Sequence, residues 1–453
     1  MMKKFNLLTL MAAGAITHAA ASEPMTAYLF AYFEGTGGQT EHLRFAVSDN
    51  GFDWHALSCN DPVILSDTIA VSGGTRDHHI LRGADGKTFY MVATDMQTKK
   101  YGWVENPGVV LMKSDNLTDW THATVELAKA FPENFSDAYW VWAPQTIYDP
   151  DEKKYMVYFT VRRQDASKGF TTYYAYANND FTAFESEPRV LYRTETGCID
   201  NDIMQGPDGR WYMFYKANEG EQKENGIKLA IADKLHGPWV EQPGFVDAYA
   251  GNPPVEGSGI FRLNDTGEYV LMYDLYTSGR YEYQTSKDLI HFTREAKAFT
   301  KDFFPRHGTV MPITASEKRR IEEKWTCDTT QFTNPILPGF HADPEVLFSE
   351  QTGKYYIYST TDGTPGWGGH NFQVFSSDDI DSGDWKDEGV MLELEGDQVK
   401  WASGNAWAPA IIERKEGNGY KYYFYFSGHN PTTNRKEIGV AVASHPTGPF
   451  IDL

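Results

Sequence analysis

The sequence predicts an all-β protein whose larger part is a five-bladed β-propeller, and three observations carry that expectation. An Asp- or Asn-containing turn ending on an aromatic residue recurs five times along the chain. Aromatic-rich, alternating stretches precede those turns. Five candidate inner strands fall between residues 77 and 313, leaving N-terminal strands over to close a ring.

The turn copies are Ser48-Asp49-Asn50-Gly51-Phe52-Asp53-Trp54, Ser114-Asp115-Asn116-Leu117-Thr118-Asp119-Trp120 and Asn179-Asp180-Phe181-Thr182-Ala183-Phe184, followed by Ala232 to Trp239 and Ser286 to Phe292. Their spacing of about 50–70 residues is that of propeller blades or slightly above it. Stretches such as Phe89-Tyr90-Met91-Val92-Ala93, Tyr155-Met156-Val157-Tyr158-Phe159 and Trp211-Tyr212-Met213-Phe214-Tyr215 read as strands, and Asp85-Gly86 and Asp208-Gly209 read as hairpin turns.

The inner strands are expected at Asp77, at Pro144-Gln145, at Asp200, at Glu256 and at His307. The last of them, Arg306-His307-Gly308-Thr309-Val310, has no outer strands behind it, so strands around residues 27–54 are expected to complete the final blade. Such a seam removes exposed sheet edges. Helical patterning is confined to Ala315 to Trp325, within a boundary segment 315–333. The strand pattern restarts at Asn334-Pro335 and runs to Leu453, with an outer turn at Trp385 and an inner strand near Trp407-Ala408-Pro409. About two blades cannot close a ring, so residues 334–453 are expected to be the start of a second similar domain in a truncated sequence.

The chain has 453 residues, enough for more than one domain. Aromatic residues make up 15 %, which suits strands and also supplies flat apolar faces for sugar rings. A net charge of −21 without a Lys/Arg cluster argues against nucleic-acid and anionic-membrane partners. Met1-Met2-Lys3-Lys4, the apolar run Phe5 to Ile16 and Ala19-Ala20-Ala21 have the order of a secretory signal over residues 1–21. The mature protein, from residue 22, is therefore expected to be secreted or periplasmic. Cys59, Cys198 and Cys327 are too scattered for a disulfide framework and are expected to be structural or free thiols.

In a propeller, residues at equivalent points of the inner strands converge on one central pit. Asp77, Asp200 and Glu256 occupy such points, and cleaving a glycosidic bond needs a carboxylic acid for the leaving oxygen and a carboxylate to activate water or attack carbon.

Five segments in order resemble glycoside hydrolase family 43 over nearly all of residues 24–314, and the resemblance resumes at 334–453. They are Gly74-Thr75-Arg76-Asp77-His78-His79-Ile80, Trp142-Ala143-Pro144, Ile199-Asp200-Asn201-Asp202-Ile203, Val255-Glu256-Gly257-Ser258 and Arg306-His307-Gly308-Thr309-Val310. The resemblance implies Asp77 as general base, Glu256 as general acid and Asp200 as the carboxylate that keeps Glu256 protonated, with inversion of configuration. It also implies that His307 faces the axis and helps hold a structural calcium or sodium ion; no cofactor is required. Trp140, Trp142, Gln145 and Arg306 are candidate substrate-binding residues, with Tyr139 a further ring platform. His78, Gln145 and Ser258 depart from the family pattern and leave the sugar open. In the second module Asp343, within His341-Ala342-Asp343-Pro344, resembles the base again, without an acid partner.

The implied activity is removal of α-L-arabinofuranosyl or β-D-xylosyl residues from plant polysaccharides of the arabinan, arabinoxylan or xylan type. The alternative is a non-catalytic carbohydrate-binding propeller. The Asn-Asp-Pro-Asn-Gly stretch of fructan-cleaving propellers is absent.

Overall fold

The computed structural model describes residues 23–103, 106, 108–164, 169–195, 197–217, 225–327, 335–363, 368–380 and 384–453; the leader-like residues 1–21 lie outside them. Four antiparallel four-stranded sheets follow one another in chain order, each laid down from its inner strand outward. Their inner strands are Thr75–Arg82, Ala138–Asp149, Cys198–Gln205 and Glu256–Arg262, opening blades I to IV. Blade V is the seam. Its inner strand, Thr309–Thr314, pairs with Met25–Tyr32 from the other end of the chain, and Arg44–Ser48 and Asp53–Ala56 continue the sheet outward. The inner strands contact one another in sequence and the fifth returns to the first, so the ring is closed. One departure from expectation is a short outermost strand, Thr300–Lys301, which joins blade V parallel to Asp53–Ala56.

The repeated turn has a physical cause. Ser48 Oγ accepts from the Asn50 and Gly51 amides, and Asn50 Oδ1 accepts from the Phe52 and Asp53 amides. Ser114 with Asn116, and Ser286 with Asp288, repeat this arrangement. Side-chain acceptors thus satisfy a tight turn whose fourth residue takes a left-handed backbone: φ is 82° at Gly51, 69° at Leu117 and 66° at Leu289. Between blades, the faces bury aromatic and branched side chains; Trp54, Phe30 and Phe261 lie between blades IV and V.

The expected helix forms over Ala315–Lys324. Thr314 accepts from the Glu317 amide and Glu317 reaches back to the Thr314 amide, a capping box. Glu317 also pairs with Arg82 at 2.6 Å, pinning the helix to blade I. Just beyond it, Cys327 forms a disulfide with Cys59, Cα to Cα 5.2 Å, which corrects the reading of these two as isolated thiols. A sequence separation of 268 hides the pair, and only ring closure brings its halves together. Cys198 is a buried free thiol.

The second module contributes two four-stranded sheets with inner strands His341–Ser349 and Trp407–Glu416, sharing one apolar core. Val346, Phe348, Ile412 and Ile438 remain exposed on these sheets.

Candidate active site

A single backbone device presents the central residues. Each inner strand of blades I to IV breaks register at a matching point, between Arg76 and His79, Trp142 and Gln145, Ile199 and Asp202, and Glu256 and Gly259, and that of blade II breaks a second time between Ala138 and Trp140. Within these bulges Asp77, Ala143, Asp200 and Gly257 have φ of 52°, 45°, 55° and 64°. A bulge re-aims a side chain that the pleat would send into a blade face. Left-handed φ in a non-glycine residue is costly and persists where the surroundings impose it, so the two aspartates are placed here at the expense of backbone comfort.

Asp77, Asp200 and Glu256 all line one central pit of about 500 Å³ including its mouth, together with Arg306, His307 and Trp142. The imidazole of His307 holds the two aspartates together. Its Nδ1 lies 3.5 Å from Asp77 Oδ1 and 3.8 Å from Asp200 Oδ1. Burial opposes a charge on this ring, but the carboxylates of Asp200 and Asp77 outweigh it and lift the pKa to about 9. Burial likewise pushes Asp77 up, yet the His307 contact and Arg76 bring it below the usual carboxylate range, so Asp77 is ionised. Thr94 Oγ1 donates to Asp77 Oδ2 at 2.8 Å and accepts from the Ala143 amide at 2.9 Å, tying blades I and II at this point.

The other two carboxylates differ from expectation. Glu256 Oε2 accepts from Lys216 Nζ at 2.9 Å, and Oε1 lies 3.7 Å from Arg306. Burial favours the neutral acid, but these two cations overcome it and hold Glu256 below its ordinary pKa. Asp200 moves the other way, to about 6, chiefly through burial and with the charges of Glu256 and Asp77 adding to it. The two carboxylates thus shift apart, with Asp200 raised and Glu256 lowered, whereas the sequence expectation has Glu256 kept protonated. Asp200 Oδ2 accepts from the Gly257 amide at 3.0 Å, and Ser258 Oγ donates to the Asp200 carbonyl at 2.7 Å, so the two strands are locked together.

The ring platforms separate on inspection. Trp142 lines the pit, held by its Nε1 donating to Asn106 at 2.8 Å. Trp140 stacks behind it, centroids 4.6 Å apart and planes 8° apart, with Arg162 over its ring, and Tyr139 packs on Trp140 in turn. Gln145, expected on the wall, is buried below it with Oε1 accepting from the Tyr158 hydroxyl at 2.8 Å; the bulge ends there and turns it inward. Arg306 is at the wall as expected, its Nε donating to Asp274 and its guanidinium near Glu256.

At the axis stands His307, whose ring lies between the carboxylates of Asp77 and Asp200. Among the described residues no group of three His, Cys, Asp or Glu side chains is arranged to hold a metal.

Sequence reasoning missed Lys216 and Asp274, although a signal existed. In the second strands Phe89–Asp95, Lys154–Arg163, Trp211–Ala217 and Tyr269–Leu275, one polar residue follows five mostly apolar ones: Thr94, Thr160, Lys216 and Asp274. Each pairs across from its blade's bulge, opposite Arg76, Trp142, Ile199 and Glu256 respectively. The second module repeats the corner: Asp343 has φ of 49°, Thr360 Oγ1 donates to Asp343 Oδ2 at 2.9 Å, and the Ala408 amide donates to Thr360 Oγ1 at 2.9 Å.

Comparison with known proteins gives two family matches. Residues 23–319 match a probable glycosyl hydrolase domain related to family 43, and residues 332–453 match the glycosyl hydrolases of family 43. An α-L-arabinofuranosidase of Bifidobacterium longum is 26 % identical over 217 residues, covering 44 % of this chain and 20 % of that protein. A xylosidase/arabinosidase of Bacteroides ovatus is 36 % identical over 129 residues, covering 26 % of this chain and 36 % of that protein. The chain thus spans well under half the length of either relative. A solved endo-1,4-β-xylanase of Bacteroides thetaiotaomicron overlays with a TM-score of 0.43 at 14 % identity, covering 62 % of this chain and 97 % of that one.

Proposed function

The chain belongs to glycoside hydrolase family 43, and from that premise we propose that its propeller hydrolyses terminal α-L-arabinofuranosyl or β-D-xylosyl residues of plant polysaccharides or their oligosaccharides, with inversion. The observation that carries this reading is the placement of Asp77, Asp200 and Glu256 around one pit with a tryptophan wall. An ionised carboxylate, a group able to hand over a proton and an aromatic face for a sugar ring are the parts the reaction needs. Asp77, kept anionic by His307, is the base that takes a proton from water as the water attacks the anomeric carbon. Glu256 is the acid that protonates the departing oxygen.

The free site sets a condition on this mechanism. Lys216 and Arg306 hold Glu256 below its ordinary pKa, while Asp200 is raised to about 6. Substrate must weaken the two cation contacts so that Glu256 takes up a proton before the bond breaks. A leader directing the enzyme out of the cytoplasm belongs to the same reading, since polysaccharides are met outside the cell.

A second reading, a propeller that binds saccharide without turnover, draws on the same Lys216–Glu256 pair at 2.9 Å, because an acid locked as its anion cannot protonate a leaving group. Incubation with the nitrophenyl α-L-arabinofuranoside and β-D-xyloside, with product anomers followed by NMR, separates the two. Turnover with inverted product supports the hydrolase; binding without release of nitrophenol supports the second reading, and retained configuration overturns the proposed roles.

A further inference from the structure

The strand Thr300–Lys301 runs along the outer edge of blade V, and its residues share a cleft with residues of the second module. The modules touch there: a Cβ built on Gly363 would stand 3.7 Å from the Phe304 side chain. Beside this contact lies a cleft of about 1250 Å³ including its mouth, more than twice the space of the central pit at about 500 Å³. Trp54, Phe303 and Phe304 line it from the first module, Phe375 and Trp385 from the second.

Charges on these walls largely cancel where they stand. His55 faces Asp302 at 3.7 Å, and Lys386 faces Glu388 at 2.9 Å. Lys301 and Asp387 remain. Each lies in the field of the other, yet no direct ion pair joins them among the described residues. The Lys301 ammonium instead stands over the Phe304 ring at 5.1 Å, and Asp387 accepts from the Gly389 amide at 2.7 Å. The cleft thus offers the half-buried rings of Phe304 and Trp385, with Trp54, Phe303 and Phe375 buried in its walls, and one ammonium and one carboxylate across a gap.

That combination selects a neutral, polyhydroxylated ligand with apolar faces. Its C–H faces stack on the rings, its hydroxyls bridge ammonium and carboxylate, and it avoids the desolvation cost that a charged ligand would add. We infer that the cleft between the modules is an accessory binding site for a neutral, pentose-containing oligosaccharide, separate from the pit. The inference rests on the saccharide reading of the propeller for the class of sugar, and on the cleft's own residues for the existence of the site.

The test is a calorimetric titration of the full chain carrying Asp77→Asn, so that ligand persists, with xylotetraose and with arabinotetraose. Two binding events per chain are expected. Adding Trp385→Ala removes one of them, and adding Lys301→Met, which keeps the stem and drops the donor, weakens the same event about tenfold. Thermal melts confirm that both variants are folded, and Lys301→Met carries the test should Trp385→Ala fail to fold. In the otherwise native chain neither change alters the rate on a small nitrophenyl glycoside. Binding indifferent to both substitutions overturns the site, as does tighter binding of a glucuronic-acid-bearing oligosaccharide than of the neutral one. Absence of any hydrolysis by the native chain, with the Trp385-dependent event intact, removes the catalytic reading and leaves the accessory site standing.

Discussion

Lys216 Nζ stands 2.9 Å from Glu256 Oε2 and 4.5 Å from the centre of the Tyr276 ring, buried on the second strand of blade III. Removing this cation disfavours the anion of Glu256, so its pKa rises and it keeps a proton to higher pH. Lys216→Met is therefore expected to move the alkaline limb of the kcat/KM profile upward. A profile that stays in place would show that Lys216 does not set the protonation of Glu256.

The three carboxylates are expected to fail differently. Asp77→Asn abolishes turnover of every substrate, because water activation is required whatever departs. Glu256→Gln cripples alkyl glycosides far more than nitrophenyl glycosides, whose leaving groups depart without a proton; a loss of about 10²–10⁴-fold is the usual scale for general acid catalysis. Asp200→Asn shifts the limb assigned to Glu256 to lower pH, as its neighbouring charge is lost. Comparing the variants on both leaving-group types checks all three, and a fully active Asp77 variant would refute the assignment.

His307 links stability to pH. Its folded pKa, about 9, exceeds the ordinary histidine value of 6.5, so its protonation stabilises the fold fully below about pH 6.5, and this stabilisation is lost as pH rises through about 9. The contribution is on the order of 3 kcal/mol. His307→Gln should lower the melting temperature markedly at pH 6 and much less at pH 9.5. Equal losses at both pH values would mean that the ring acts through packing alone.

Thr94 joins Asp77 to the Ala143 amide through one hydroxyl. Thr94→Val keeps the shape and leaves that buried amide without its acceptor, at a cost of about 1–3 kcal/mol. The expected result is a lower denaturation midpoint together with reduced kcat, with Thr94→Ser restoring much of both. Unchanged kcat would show that Asp77 needs no such support.

The Cys59–Cys327 bond ties the segment after the helix to the closing blade. Chain-entropy arguments give about 5 kcal/mol for cross-linking so long a loop. Reduction, or Cys59→Ser with Cys327→Ser, should lower the melting temperature and leave room-temperature activity near native, since neither cysteine lines the pit. A melting curve unchanged by reductant would count against the bond.

Much of this molecule was legible in its sequence. The Ser-x-Asn/Asp turns repeat because each must satisfy the same backbone groups locally, and strand alternation follows from side chains pointing to opposite faces; both are nearest-neighbour physics written into adjacent residues. The count of inner strands, the unfinished last blade and the register of Asp77, Asp200 and Glu256 follow from that repeat. What the sequence left undetermined depends on residues far apart in the chain meeting. Cys59 finds Cys327 only when the ring closes, Lys216 reaches Glu256 from the neighbouring blade, and His307 sits between aspartates of blades I and III. That Glu256 is held low while Asp200 is raised is set by burial and by cations from other blades, so only the tertiary structure could decide it.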